Sequence, residues 1–555
     1  MFARVKSNGT GPHARKYLQI VESYRQSGRV RQRVIATLGR VDKLQDSKTL
    51  AGVIDSLSRF CEQVRVVEAS RLPEISSCQA RLWGPALVFS RLWAKQGLPE
   101  ILGRLAENRR FNFDPGRVAF ALALQRLCEP GSDLQGSHWL TSVESAWFEG
   151  IALQHLYRTV AWLAEVREDL ERELFYRDRE LFTQELDLVF LDTTSIFVYR
   201  DEETQWTRRG YSRDWRPDLP QLVLCVAVDR RGWPVAWECF PGNTADKAAF
   251  VQTVETLRRR FRIGRVSVVA DRGMMGQKTI EFLTSDPETP LDYILGVRMR
   301  RQKEVREEVL VRIDHYQEVE ANLKVAEVQV GARRYIVCRN EEEARRDAAA
   351  REKMIVHLQA KLKSGGAKNL VSNLGFRRFL KGRPGGAWIL DEEAIRAEAL
   401  FDGIFVLRTN LNLPAAEIAK TYKGLWRVER IFREEKSTLE VRPLYHHLDQ
   451  TRIGHIMASF LALRLEIDLQ RRMEQKCSDV SWPELMHDLK QLQAVRFNLD
   501  GEGWLVRTDF QGAAHIAFQA AGVQPPNKVT RLIKPPEPSL AEQEICSATR
   551  GHCAL

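Results

Sequence analysis

The chain has 555 residues, of which 84 are Lys or Arg and 73 Asp or Glu, for a formal net charge of +11. Such a length has room for several domains, and the basic balance favours a polyanionic partner. No P-loop and no G-x-G-x-x-G appears, so neither ATP nor a dinucleotide is indicated. No apolar run reaches about 18 residues, and no signal peptide opens the chain, so neither a membrane span nor secretion is expected. The nine cysteines are dispersed without a C-x-x-C pair, and Cys546, His552 and Cys553 lack two-plus-two zinc spacing. Reduced thiols in a cytosol fit this pattern, and the expected location is cytoplasmic.

The first forty residues hold nine Lys+Arg against one acid, Glu22, which makes +8 of the +11. YLQIVESYRQSGRVRQRVIATLG alternates around Ser27-Gly28 and predicts a basic β-hairpin within an arm over 1–47. From 48 to 182 the pattern is mostly helical, with helix-spaced apolar residues in LWGPALVFSRLWAKQGL and PGRVAFALALQRL. No helix-turn-helix signature stands out there.

Residues 183–300 read as strand, strand, strand, helix, strand, helix, strand. Leu188 to Leu191 run into Asp192, and Val266 to Ala270 run into Asp271. Short apolar runs bounded by turn residues suit buried strands. An aspartate ending such a strand is unfavourable unless it is paired, binds a metal or caps the next turn. Between the two aspartates, Gln221–Asp229 and Trp233–Phe240 flank a hairpin signal at Arg230-Arg231-Gly232, and Asp246–Phe261 reads as a helix with Phe250, Val254 and Leu257 on one face. A further helix from about Gln277 and the strand DYILGVRM complete the set. The fold class predicted is α/β, a ribonuclease-H-like core built on a mixed five-stranded sheet. That order brings the ends of the first and fourth strands together.

A β-rich insertion is expected over 301–400. VEANLKVAEVQVGARRYIVCRN alternates like strands, EEEARRDAAAREKMIVHLQAKLK reads as a charged helix, and SGG and GRPGG read as loops. The core resumes over 401–475 with the strand DGIFVLRTN and the stretch TYKGLWRVERIFREEKS. Read as one helix, that stretch returns Tyr422, Trp426, Glu429, Arg433 and Lys436 to within about 40° of a single line. It sets one carboxylate among cations and aromatics. Trp426 could stack on an extruded base or sit in the core; Arg272 could meet phosphate or pair locally; Lys436 could be an ordinary solvated lysine. Asp214 and Asp218 compete as carboxylates, but a polar loop with Arg213, Arg216 and Pro217 makes poor metal ligands of them. An amphipathic helix over Arg452–Met473 presents Ile456, Phe460, Leu463 and Ile467 as a core face. Residues 476–555 are less informative, and Pro525-Pro526, Pro535-Pro536 and Pro538 mark a mobile end.

Taken together, the segments resemble the DDE transposases of bacterial insertion sequences, in the group with the signature Tyr-x2-Arg-x3-Glu-x6-Lys. Tyr422, Leu425, Glu429 and Lys436 occupy its positions, with Leu425 standing where the arginine is expected. GYSRDWRPDLPQL, FPGNTADK, ADRGM and EVRPLYH are similar to the same group, and the likeness runs from about Tyr17 to Arg472. The resemblance implies a catalytic triad of Asp192, Asp271 and Glu429 holding two Mg²⁺ ions (Mn²⁺ could substitute) about 3.5–4 Å apart. It implies hydrolysis of phosphodiester bonds followed by strand transfer, with Tyr422 and Lys436 on DNA phosphate, and Trp426, Arg433 and Arg272 as further DNA contacts. The helical region would help bind the element's terminal repeats, the insertion would lie over the active site, and synapsis of two DNA ends would need a homodimer. A ribonuclease-H-like nuclease without strand transfer and an inactive, transposase-derived DNA-binding protein are the alternatives.

Overall fold

The computed structural model describes residues 2–9, 14–26, 29–46, 79–182, 188–261, 267–285, 291–363, 373–382, 388–476, 479–499, 502–509 and 511–532. Contacts divide the chain into two compact units, one of 1–80, 494–509 and 526–555, the other of 81–493 and 510–525.

In the first unit, β2 (Arg15–Gln26) and β3 (Arg29–Arg40) form the expected antiparallel hairpin, closing on the pair Gln26 and Arg29. Ser27 and Gly28 themselves lie outside the described residues. A strand that the alternation does not reveal, β1 (Phe2–Asn8), pairs with β2 from Phe2↔Val21 to Asn8↔Arg15. Val21 is buried, whereas Val5, Val30, Val34 and Ile35 are exposed.

After a short strand, β4 (Gln79–Leu82), the second unit is mostly helical to Phe182; the first part of the region expected to be helical, 48–78, lies outside the described residues. Sequence sets these helix starts locally. Asp114 accepts hydrogen bonds from the Gly116 and Arg117 amides, and Pro115 takes the first helical position, where no donor is needed. The helices Pro115–Cys128 and Leu153–Glu165 pack against the long helix Asp449–Glu474. Ile456, Phe460, Leu463 and Ile467 are buried there as expected, but so is nearly everything from Arg452 to Leu469. Gly454 permits this close approach, because a side chain would run into the Val160 carbonyl.

The remainder is one mixed sheet of nine strands. Five of its strands, at one end of the sheet, are β5 (Leu188–Phe197), β6 (Gln221–Asp229), β7 (Pro234–Pro241), β8 (Ser267–Ala270) and β9 (Asp292–Gly296). They lie in the order β7-β6-β5-β8-β9, with β6 antiparallel to both neighbours and β8 parallel to β5 and β9. Side chains alternate between two cores: Phe190, Leu224 and Val226 face one, and Leu191, Val223 and Cys225 face the other. Phe250, Val254 and Leu257 of the helix Asp246–Phe261 cover the second face.

The sheet does not stop at five. β10 (Gln317–Glu320), β11 (Leu323–Val330) and β12 (Arg333–Arg339) continue it through β15 (Ile404–Thr409), which is antiparallel to both β9 and β12. The strand-rich segment expected as a separate insertion thus extends the core sheet, since β15 would otherwise leave one row of backbone groups unpaired. The helix Glu341–Lys363 forms as read, followed by a two-stranded ribbon of β13 (Leu380–Gly382) and β14 (Trp388–Leu390). The SGG loop and most of GRPGG fall outside the described residues. Three C-terminal strands, β16 (Gln493–Leu499), β17 (Glu502–Arg507) and β18 (Val529–Leu532), form an antiparallel meander that the sequence did not signal. Pro535, Pro536, Pro538, Cys546, His552 and Cys553 lie outside the described residues. No helix among the described residues is long and apolar enough to cross a membrane.

Candidate active site

Parallel pairing of β5 with β8 sets Leu191 against Ala270, so the next residues, Asp192 and Asp271, emerge side by side. Asp192 is mostly buried. Burial, with the Asp271 and Asp246 charges adding to it, pushes its carboxyl up to about 6, against the opposing pull of Arg213 and the Thr193 amide. That amide donates to Asp192 Oδ1 at 2.7 Å. Asp271 is exposed at the start of a turn whose carbonyls, on Arg272 and Gly273, accept from Arg298 at 3.1 Å each.

The stretch read as one helix is three pieces. Ala415–Lys423 ends at Gly424, Trp426–Arg433 follows, and Glu434–Thr438 is a π-turn. Tight bonds from the Arg427 amide to the Gly424 carbonyl and from Val428 to Leu425 shift the phase at one end, and the wide π-turn shifts it at the other. The expected stripe is therefore split. Tyr422 and Glu429 share a cavity of about 1220 Å³ with Asp271, Arg272, Asp246, Arg213, Tyr211 and Arg298. Trp426 lies in a different cavity, beside Arg231, Arg427, Arg430 and Arg471, with the Arg427 guanidinium 5.1 Å from its ring. At 51% exposure it is not a core residue. Leu425, in the signature's arginine position, is buried in the core, and Arg427 does not replace that arginine in the carboxylate cavity.

Tyr422 donates its hydroxyl to Asp271 Oδ1 at 3.1 Å, and its ring stacks near Phe405. Burial raises its pKa strongly, and the Asp271 charge adds to the effect. Lys436 is no solvated lysine. It pairs at 3.0 Å with Asp214, which also binds Arg442 at 2.8 Å, and burial lowers the Lys436 pKa. Asp214, expected in a solvated loop, has a side chain only 5% exposed. Arg433 and Arg272 are exposed, and Arg272 lines the cavity. The sequence reading missed Asp246. It accepts from Thr193 Oγ1 at 2.9 Å and from Arg213 at 3.1 Å, so a cation and a hydroxyl offset a fourth carboxylate beside Asp192. Its only signal was its place in FPGNTADK.

Carboxylates around an open cavity are a donor set suited to hard divalent cations. The donor atoms of Asp192, Asp271 and Glu429 do not all come within 4.8 Å of one another; among the described residues that spacing is reached by Asp133, His446 and His455. There Arg126 donates to Asp133 at 3.0 Å and lies 3.1 Å from His455 Nδ1. A guanidinium occupies the place a cation would take, so the cluster reads as a buried structural network.

Asp192 and Asp271 thus stand on or just past adjacent parallel strands, with Glu429 on a later helix. The chain belongs to the DDE transposases: the transposase DDE domain model matches residues 183–465, and the IS1634 family transposase N-terminal domain model matches residues 2–70, as in bacterial insertion sequences. No curated protein matches the sequence. Similar solved structures include the Mos1 transposase paired-end complex with left transposon end, 15% identical, covering 32% of this chain and 60% of that chain at a TM-score of 0.13. Another is the Mos1 mariner paired end complex with Mn, 14% identical, covering 45% of this chain and 74% of that chain at a TM-score of 0.14. The chain thus spans less than two thirds of the first of these, and scores this low define no shared fold.

Proposed function

We propose that this transposase binds the terminal repeats of its own element, cleaves phosphodiester bonds at the element ends and joins them to target DNA. The observation that supports the reading is the register of β5 and β8, by which Asp192 follows Leu191 beside Asp271, together with the cavity that Asp271 and Glu429 line; Asp192 itself is not among the residues lining that cavity. The strand order β7-β6-β5-β8-β9 supports a ribonuclease-H-like core. Asp192, Asp271 and Glu429 would hold divalent metal, Mg²⁺ or Mn²⁺, which supplies activation of a water or 3′-hydroxyl and stabilises the leaving oxygen. The chain's own groups orient that site. Tyr422 fixes the Asp271 carboxylate, and the Thr193 amide fixes Asp192.

Arg272 and Arg433 would meet DNA phosphate, with Trp426 as a further DNA contact; both arginines are exposed, Arg272 lines the carboxylate cavity, and Trp426 lies outside it. Lys436 can exchange Asp214 for a phosphate because Arg442 keeps that carboxylate paired. Two ends cut and joined together imply a homodimer on double-stranded DNA.

The test is a cleavage assay on a plasmid carrying the DNA ends that flank the gene, with Mg²⁺ or with EDTA. Metal-dependent cuts at those ends, lost in Asp192→Asn, Asp271→Asn and Glu429→Gln while end-binding persists, are the expected result. Cleavage retained in any one variant removes that residue from the site. End-binding without cleavage by the wild type would favour a DNA-binding role alone.

A further inference from the structure

Beside the carboxylate cavity, the loop between β5 and β6 holds a tryptophan in an unusual state. Trp215 is 91% exposed, and its backbone φ is +58°. A left-handed conformation disfavours a bulky side chain, and an exposed indole gains nothing from burial. Neither feature helps the fold, so the surrounding structure must impose both.

It does so on each side. The Arg213 amide donates to Ser195 Oγ at 3.0 Å, and its guanidinium to Thr193 Oγ1 at 2.8 Å and to Asp246. Asp214 is held between Lys436 and Arg442. Ser212 Oγ accepts from the Arg216 amide at 3.1 Å, and Arg216 binds Asp218. The indole is thus presented from a pinned loop whose other arm, through Tyr211 and Arg213, lines the cavity with Asp271 and Glu429. Tyr211 is itself 85% exposed.

We propose that Trp215 is a stacking platform for an unpaired base of DNA next to the cleavage site, with Tyr211 as a second ring. The inference rests on the DNA-cleaving reading above. Exposed aromatics held rigidly among cations are what unpaired nucleotides require: a flat face for each base and positive charge for the adjoining phosphate. Here Lys436 and Arg442, two cations against the single carboxylate of Asp214, supply an excess of positive charge beside Trp215.

The experiment measures the affinity of the full chain for a single-stranded oligonucleotide and for a blunt duplex of the same sequence. Wild type is compared with Trp215→Ala, Trp215→Phe and Trp215→Gly, each with its thermal midpoint. Trp215→Ala should weaken single-strand binding about tenfold and leave duplex binding unchanged, with Trp215→Phe retaining most of the affinity. Trp215→Gly should lose the same affinity while its thermal midpoint rises, because glycine relieves the left-handed strain. Equal affinities in all four proteins overturn the proposal, as does a parallel loss on both probes. A variant that binds both probes normally but changes oligomeric mass overturns it in favour of a contact between copies. If the plasmid assay still shows metal-dependent cleavage, only the stacking role falls; absence of both cleavage and nucleic-acid binding in the wild type instead removes the reading beneath it.

Discussion

The Tyr422 hydroxyl and Asp271 Oδ1 lie 3.1 Å apart, and Gly296 sits against that hydroxyl so closely that any Cβ would collide with it and approach the Arg272 amide to 2.8 Å. A glycine on β9, a tyrosine before the glutamate helix and an aspartate after β8 therefore fix one another. Tyr422→Phe should leave the fold intact and lower cleavage by about tenfold, the effect of losing one hydrogen bond to a charged group. Gly296→Ala should do more harm, measured as both activity and thermal midpoint. Adding Tyr422→Phe to Gly296→Ala should recover part of the lost stability, because the hydroxyl is one of the two atoms struck. An additive double variant would rule out this contact as the cause.

Asp192 carries a pH prediction. Its folded-state carboxyl titrates at about 6 against an ordinary value of 3.8, so the folded protein holds a proton there that the unfolded chain has released. Stability therefore falls as pH rises through that window, and above it the buried charge is a standing penalty. Asp192→Asn stays neutral at every pH. In EDTA its thermal midpoint should match wild type below the ordinary aspartate value, overtake it as pH rises to about 6, and keep a constant lead beyond. A lead independent of pH would mean that Asp192 is not the strained group.

Asp214 is shared by Lys436 and Arg442, and its side chain is almost fully enclosed. Removing the common anion strands two cations, whereas removing one cation leaves the anion paired. Asp214→Asn should therefore destabilise by about 3 kcal/mol, and Lys436→Met by clearly less, in denaturant unfolding. The reverse ranking would place Lys436, not Asp214, at the centre of the network.

Much of this was legible in the sequence because the signals were local. The strand β6 and the helices Asp246–Phe261 and Glu341–Lys363 have the limits that periodicity assigns. Asp271 could be picked out because an acid ending an apolar strand is unfavourable without a purpose. Asp192 was picked out by the same reading, but β5 does not end there and runs on to Phe197, because Thr193, Thr194, Ser195 and Ile196 are buried and paired with β6. What failed was long-range or depended on phase. The stripe from Tyr422 to Lys436 assumed an unbroken helix, and Gly424, which has no room for a side chain against Phe190, breaks the phase. The pairing of β12 with β15 joins segments separated by a long helix, and periodicity carries no information about such partners. The burial of Asp214 and the position of Asp246 likewise follow from contacts between distant segments.

Asp246 also allows the carboxylates to be sorted by metal response. Arg213 and Thr193 already engage its Oδ1, while Asp271 accepts only the Tyr422 hydroxyl among the hydrogen bonds described above, and Glu429 is exposed. A divalent ion bound to the folded state raises the thermal midpoint by an amount that grows with the logarithm of its affinity. Mg²⁺ should therefore raise the midpoint of wild type, and chelation should reverse the shift. Asp271→Asn and Asp192→Asn should abolish the response. Asp246→Asn should keep it yet lower cleavage, because it frees Arg213 to move while leaving the ligands in place. If Asp246→Asn abolished the shift as fully as Asp271→Asn, Asp246 would be a metal ligand itself, and the site would rest on four carboxylates.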